Sequence, residues 1–150
     1  MREIKFRGKG IADGKWVYGY VFEGRQDTYI LCKKAPCEMD TQGLNVFSPI
    51  PVIAESVGQH TGFLDKNGTE IYESDILQFQ CVRDGTKKTR AVVKYDLECG
   101  SWYCGGDLLS TVLFEQNNDG WKISENWLTI GKQYAIIIGN KVDNPELLED

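Results

Sequence analysis

The twenty residues from Gly58 to Leu77 constrain the fold of this chain more than any other stretch. At their centre, Asp65 to Gly68 supplies the Asp, Asn and Gly that a tight reversal needs, and Gly62 and Gly68 can take positive φ without a steric penalty. Apolar pairs flank this reversal on both sides, and a polar break then precedes a new strand. The sequence therefore predicts a structural turn between two strands, formed by Gly62, Asp65, Asn67 and Gly68.

The same run reads H-T-G-F-L-D-K-N-G-T-E-I-Y-E-S-D-I and resembles the signature of the YopX-like proteins of bacteriophages and prophages. Residues 1–7 with 16–20 resemble the N-terminal end of that family, and residues 138–140 with 144–148 resemble its C-terminal end. Ser74 departs from the signature, which usually has Gly there, and residues 96–133 show no resemblance. The resemblance implies a small, mainly β protein of mobile genetic elements, and it supplies no catalytic residue to carry over.

Composition favours strands joined by turns. The chain of 150 residues is 41% hydrophobic and 11% aromatic, with 16 glycines and only 4 prolines, which suits an all-β protein with enough apolar surface for a core. We expect two small β lobes in one compact unit. Residues 1–54 form an N-terminal hairpin and meander, and residues 55–150 form a barrel-like lobe, with Glu55 to Gln59 as a short connection.

The N-terminal lobe begins with a predicted β-hairpin at Asp13-Gly14, a strong two-residue turn signal before an aromatic strand. A loop of just these two residues places Lys9 opposite Tyr18 and Arg7 opposite Tyr20. A loop longer by one residue reverses which side chains share a face, because side chains alternate with period two.

In the two-residue register, one face of the hairpin mixes cations with aromatic rings. Rings can stack bases or pack against a partner, while cations can track phosphates. An alternative is that long basic side chains merely lie over aromatic strands beside solvent. The candidate surface for nucleic acid or another partner comprises Lys5, Arg7, Lys9, Trp16, Tyr18 and Tyr20.

Further strands are predicted along the rest of the chain. Thr28 to Lys33 returns as a third strand, whereas Val46 to Ile53 is interrupted by two prolines and reads as an edge or a linker. Three alternating or β-branched runs begin at Ile76, Arg90 and Ser101 and suggest a meander like the start of a partly open SH3-like barrel. Other predicted elements are a strand from Leu108 to Glu115, a short helix or strand near Ser124, a fully buried strand from Tyr134 to Gly139, and one helical turn at Pro145 to Leu148, capped by Asn144.

Motifs for common catalytic chemistry are absent from the sequence. It contains no phosphate-binding glycine loop, no nucleophile elbow and only one histidine, His60, so it predicts neither an enzyme nor a cofactor. The Cys32/Cys37 and Cys99/Cys104 pairs have gaps of four residues, and we interpret them as reduced thiols and not as zinc ligands. We therefore predict no catalytic and no metal-binding residue.

Charge and hydropathy predict a cytoplasmic protein that does not enter the membrane, and the resemblance implies that this cytoplasm is that of a bacterial host cell. The net charge is −5, which opposes general attraction to a phosphate backbone, and no apolar run is long enough to span a bilayer. The sequence predicts an accessory protein that binds an unidentified protein partner, or forms a homo-oligomer, through a sheet edge or an aromatic face. The alternatives are a nucleic-acid-binding β module and an enzyme of unrecognised type.

Overall fold

The computed structural model describes residues 4–32, 38–39, 45–46, 49–80, 88–105, 107–108 and 135–149. These residues form β-strands and a single 3₁₀ turn at Pro145–Leu148, with no α-helix, so the all-β prediction is confirmed. The strands are β1 Phe6–Gly10, β2 Trp16–Glu23, β3 Thr28–Cys32, β4 Glu38–Met39, β5 Asn45–Val46, β6 Ile50–Leu64, β7 Glu70–Tyr72, β8 Asp75–Gln80, β9 Lys88–Asp96, β10 Ser101–Cys104, β11 Asp107–Leu108 and β12 Ile136–Asn140.

The chain divides into two compact units, Met1–His60 and Thr61–Asp150, with the boundary inside β6. In the first unit, β1 pairs with β2, β2 with β3, β3 with β6 and β6 with β1, and every pair is antiparallel. Four strands therefore close into a ring, which leaves no free edge among them.

The interior of this ring is narrow. Ile30 and Val52 are almost completely buried within the unit. A Cβ placed on Gly8 would lie 3.0 Å from the Cδ1 atom of Ile30 and 3.1 Å from the nearest Val52 methyl group. Such distances are shorter than ordinary van der Waals contacts, so a glycine is needed where β1 crosses the core.

The first hairpin has a longer loop than predicted. Arg7 lies opposite Tyr18 and Lys9 opposite Trp16, and the Gly10 amide donates to the Lys15 carbonyl at 2.8 Å. The two-residue register is therefore wrong, because four residues, not two, form the loop. The predicted division into faces still holds, since a shift of two residues restores the alternation of side chains.

Where the two prolines predicted an edge or a linker, the structure has the long strand β6. It runs without interruption from Ile50 to Leu64, and the carbonyl of Pro51 accepts a hydrogen bond from Ile11. Pro51 fits in a strand that is paired on both sides because this position supplies an acceptor and no donor. The predicted short connection from Glu55 to Gln59 is also wrong, because these residues lie within this strand.

A bulge in β6 is bridged by a serine side chain. The β1–β6 register shifts between Arg7 and Lys9, and at this point the Ser56 hydroxyl accepts from the Lys9 amide at 2.7 Å and donates to the Ile53 carbonyl at 2.6 Å. Ser56 is buried. Its side chain thus satisfies the backbone groups that the extra residues leave unpaired.

The second unit contains a five-stranded antiparallel sheet in the order β11-β10-β9-β8-β12. The meander from β8 to β10 agrees with the prediction, and the return of β12 beside β8 is compatible with an SH3-like strand order. β6 also pairs with β7. The core of this unit comprises Ile71, Leu77, Phe79, Ala91, Val93, Trp102, Cys104 and Ala135.

Two C-terminal predictions need correction. β12 begins at Ile136 and its residues are only half-buried, because it lies at the edge of the five-stranded order. The turn at Pro145–Leu148 is confirmed, but Asn144 makes no side-chain cap hydrogen bond. Instead, the side-chain Nδ2 of Asn144 donates to the Glu146 carboxylate at 3.4 Å. The predicted elements from residue 109 to residue 134 lie outside the described residues.

Candidate binding surface

A line of aromatic side chains follows β2 on the outside of the first unit. Tyr18, Tyr20 and Phe22 are 48%, 46% and 43% exposed, and Trp16 precedes them with partial exposure. Because successive side chains point to opposite sides of a strand, these four rings lie on one face. We call Trp16, Tyr18, Tyr20 and Phe22 the aromatic face.

β3 and β6 extend this apolar surface. Tyr29 lies opposite Phe22, and their rings stack with centroids 5.4 Å apart and an interplanar angle of 13°. Leu31 lies opposite Tyr20, and Ile53, paired with Lys9, is 41% exposed. The apolar surface therefore extends from β2 onto β3 at the stacked rings of Phe22 and Tyr29, and exposed apolar patches are typical of interaction sites.

The predicted cations lie along the same surface but differ in environment. The Arg7 guanidinium carbon lies 4.7 Å from the centre of the Trp16 ring, and Arg7 is only 8% exposed. Lys9, opposite Trp16, is partly buried, as is Lys5 just before β1. Arg7 thus forms a cation–π contact within the protein, which leaves the lysines as the more accessible cations of the predicted set.

Charge is divided unequally between the two units. Residues 1–60 contain eight Lys or Arg and seven Asp or Glu, whereas residues 61–150 contain nine and fifteen. The net charges are therefore +1 and −6. The overall acidity of the chain belongs to the second unit and not to the unit that carries the aromatic face.

The signature turn is built around one buried carboxylate. Asp65 is 1% exposed, and its Oδ1 accepts from the amides of Asn67 and Thr69 at 2.8 and 2.9 Å. Its Oδ2 accepts a third hydrogen bond, at 3.2 Å, from the amide of Ile137 in β12. Gly68 has φ +81° and Gly62 has φ +88°. Asp65 therefore holds both its own turn and the exposed edge of a distant strand.

The next turn, between β7 and β8, places Ser74 at φ +68°. The Ser74 amide donates to the Val93 carbonyl and its own carbonyl accepts from Lys141, so neighbouring strands hold this conformation in place. The Asp75 carboxylate accepts from the Tyr72 amide at 2.8 Å across the turn. A residue with a Cβ is strained at such a φ, which accounts for the glycine usual at this position of the signature.

We expect Ser74→Gly to stabilise the second unit. Glycine removes the steric cost of positive φ, which outweighs the extra freedom of the unfolded chain, so the gain should be about 0.5–1 kcal/mol. The change is measured as an increase in the urea midpoint of unfolding. Ser101→Gly, within β10, serves as the control and should lower the midpoint, and a decrease for both variants would contradict this reading of Ser74.

A shallow cavity of about 310 Å³ lies on the second unit, lined by Ala91, Val92, Lys94, Tyr103 and Gly105. Beside it, a hydrogen bond with Cys99, and then the charge of that thiol, raise the pKa of Tyr103 above its ordinary value of 10.0, and the charge of Asp96 adds to this. The only cavity group in this set that carries a charge at neutral pH is Lys94.

In the part of the chain that the structure describes, no group of three or more His, Cys, Asp or Glu side chains is arranged to hold a metal ion. Cys104 is buried and lies 3.4 Å from the Ala91 carbonyl, whereas Cys99 is exposed. Cys37 lies outside the described residues. Within the same residues, no helix has the length and apolar character to cross a membrane.

Comparison with known proteins gives the family. A family model described as "YopX protein" matches residues 5–149, almost the whole chain. The chain belongs to the YopX family. No curated protein matches the sequence. Among solved structures, the crystal structure of protein EF1440 from Enterococcus faecalis matches with a TM-score of 0.53 and 21% identity, over 99% of this chain and 100% of that one.

The comparison with EF1440 supports the fold of this YopX chain and nothing further, since the identity is low. The surface residues must therefore be judged from this chain alone. The sequence prediction brought together Arg7, Lys9, Trp16, Tyr18 and Tyr20, and the structure places them on one surface. The sequence prediction missed Phe22, Tyr29 and Ile53, although the period-two pattern of β2 extends to Phe22.

Proposed function

We propose that this YopX protein is a binding module that recognises a protein partner, or a second copy of itself, through the aromatic face. The observation that carries this proposal is the exposure of Tyr18, Tyr20 and Phe22 in one line on a closed ring of strands. Tyrosine and other aromatic side chains are enriched at the centres of protein interfaces, where they bury a large area at little cost in conformational entropy.

Closure of the ring of strands limits the ways in which a partner can bind to β2. β2 is paired with β1 on one side and with β3 on the other, so its backbone is not available for strand addition by a partner. Side chains must make the contact. Within this unit, the aromatic face therefore supports the proposal better than a sheet edge, the alternative that the sequence also suggested.

Tyr18→Thr/Tyr20→Thr tests the proposal. Threonine preserves strand propensity, so the fold should persist, while the loss of two interface rings should weaken binding at least 30-fold, since one hot-spot residue contributes about 2 kcal/mol. Tagged protein, expressed in the cytoplasm of bacteria that carry prophages, is used to capture partners, and light scattering measures self-association. The control Leu97→Ser removes an apolar side chain that is 88% exposed on the second unit.

The expected result is loss of both the captured partner and any oligomer for the double variant alone. Equal binding by the wild type and the double variant, with unchanged melting temperatures, would contradict the proposal. Equal loss for Leu97→Ser would place the binding surface elsewhere.

Nucleic acid remains the second candidate because lysines flank the rings and the acidity of the chain belongs to the other unit. Rings can stack bases while lysines neutralise phosphates. Phosphate contacts weaken steeply with salt, whereas a mainly apolar protein interface does not. Binding that falls by more than about tenfold between 50 and 200 mM salt would favour nucleic acid over protein.

A further inference from the structure

Independently of the aromatic face, we propose that the cavity on the second unit binds a small organic carboxylate with an apolar body. The cavity measures about 310 Å³, which lies at the lower end of the volumes of small-molecule sites. Its described lining consists of two aliphatic side chains, a glycine, one phenol and one ammonium group, contributed by Ala91, Val92, Gly105, Tyr103 and Lys94. A ligand that matches this lining needs both an apolar part and a negative charge.

The pairing of β9 with β10 builds the lining. Lys94 lies directly opposite Tyr103, and Val92 is two positions before Lys94, so these three side chains share one side of the sheet. Just after β10, Gly105 has φ +65°, and a Cβ placed on it would lie 3.0 Å from the Cβ of Ala91. A side chain at residue 105 would therefore displace Ala91. Regular strand pairing and a required glycine thus set the shape of the cavity.

The Tyr103 ring is an uncharged part of the lining. A hydrogen bond with Cys99 is the largest cause that raises the pKa of Tyr103 above its ordinary value of 10.0. The phenol therefore keeps its proton at neutral pH and does not repel an anion. Rings and aliphatic side chains stabilise the apolar part of a ligand by removing it from water, so Tyr103 and Val92 are the surfaces for that part.

Lys94 selects a ligand with a single negative charge. It is exposed and is the one residue of the described lining that is charged at neutral pH. Asp96 follows on the same side of β9, where its Oδ1 accepts from the amides of Glu98 and Cys99 at 2.8 and 3.1 Å. A ligand carboxylate can pair with Lys94, whereas a second negative charge would meet Asp96 and no further cation of the described lining. A monocarboxylate therefore fits better than a dicarboxylate or a phosphate.

Titration of the ¹⁵N-labelled full chain with phenylacetate, followed by amide chemical shifts, tests the inference. Phenylacetamide has the same ring without the charge, and acetate has the charge without the ring. We expect phenylacetate to shift the amides of residues 91–94 and 103–105. It should bind more tightly than phenylacetamide by about threefold or more, and more tightly than acetate by about tenfold or more.

Two lysine variants identify the group that reads the charge. Lys94→Gln should remove the preference for phenylacetate over phenylacetamide, because glutamine keeps a polar chain and loses the ammonium group. Lys141→Gln changes another exposed lysine of the same unit and should keep the preference. Both side chains are exposed, so both variants should melt at the temperature of the wild type.

Four results would overturn the inference. The first is equal affinity of the wild type for phenylacetate and phenylacetamide, and the second is an equal loss of preference in the two lysine variants. The third is tighter binding of phenyl phosphate than of phenylacetate, which would assign the cavity to phosphate ligands. The fourth is the absence of shifts in β9 and β10 at millimolar phenylacetate, whether or not residues of the aromatic face respond.

Discussion

Asp65→Ala is expected to destabilise the second unit by about 3 kcal/mol or more. The carboxylate is buried and accepts hydrogen bonds from the amides of Asn67, Thr69 and Ile137. Alanine leaves all three donors without that acceptor, and an intramolecular hydrogen bond contributes about 1 kcal/mol. The loss is larger than that of an ordinary turn residue because one of the donors belongs to β12, seventy-two positions away. Urea unfolding monitored by tryptophan fluorescence measures it.

Asp13→Ala is the matched control for this variant. Asp13 also precedes a turn glycine, but it is exposed and accepts one local hydrogen bond, from the Lys15 amide at 3.0 Å. Its loss should cost less than about 1 kcal/mol. If both aspartate variants lost the same small amount of stability, Asp65 would be a local turn residue with no role in holding β12.

Gly19→Ala should destabilise the first unit by about 3 kcal/mol or more. A Cβ on Gly19 would lie 2.0 Å from the Leu31 carbonyl oxygen and 2.7 Å from its carbon. These are backbone atoms of the paired strand β3, so no side-chain rotation relieves the contact, and the strands must separate. Thermal unfolding followed by circular dichroism measures the effect.

Gly68→Ala is the control that measures the cost of placing alanine at a positive φ without a steric clash. No heavy atom lies within 4 Å of a Cβ placed on Gly68, but its φ is +81°, so alanine there should cost about 1 kcal/mol through backbone conformation alone. A loss at Gly19 no larger than that at Gly68 would mean that β2 and β3 move apart at little cost.

Much of the fold could be predicted from local patterns. The aromatic alternation of β2, the meander from β8 to β10 and the proline at the final turn each follow from side-chain period or turn chemistry within a few residues. The pairing of β6 with both β1 and β3 could not, because it joins residues 42–53 positions apart for β1 and 20–24 for β3, and it places Pro51 inside a closed ring. The usual preference of proline for edge strands would instead have placed Pro51 at a sheet edge.

The candidate surface was only partly predictable for the same reason. Tyr18 and Tyr20 share a face at any loop length because they are two positions apart in one strand, and any even-numbered loop places Arg7 and Lys9 on that face as well. The addition of Tyr29 and Ile53 depends on cross-strand registers, which sequence does not give. Arg7 was expected to be an accessible cation, whereas the structure buries it against Trp16. Trp16 lies diagonally across from Arg7 in the observed register, and the predicted register did not place these two side chains together.

Photo-cross-linking in cells tests most directly the central claim that the aromatic face is where this protein meets its partner. A benzophenone amino acid is introduced at Tyr20, and separately at Leu97, which is the more exposed side chain and lies on the other unit. We predict that irradiation joins the Tyr20 variant to one defined protein, or to a second copy of the chain, and that the Leu97 variant gives no such product. A partner joined through Leu97 and not through Tyr20 would contradict the account.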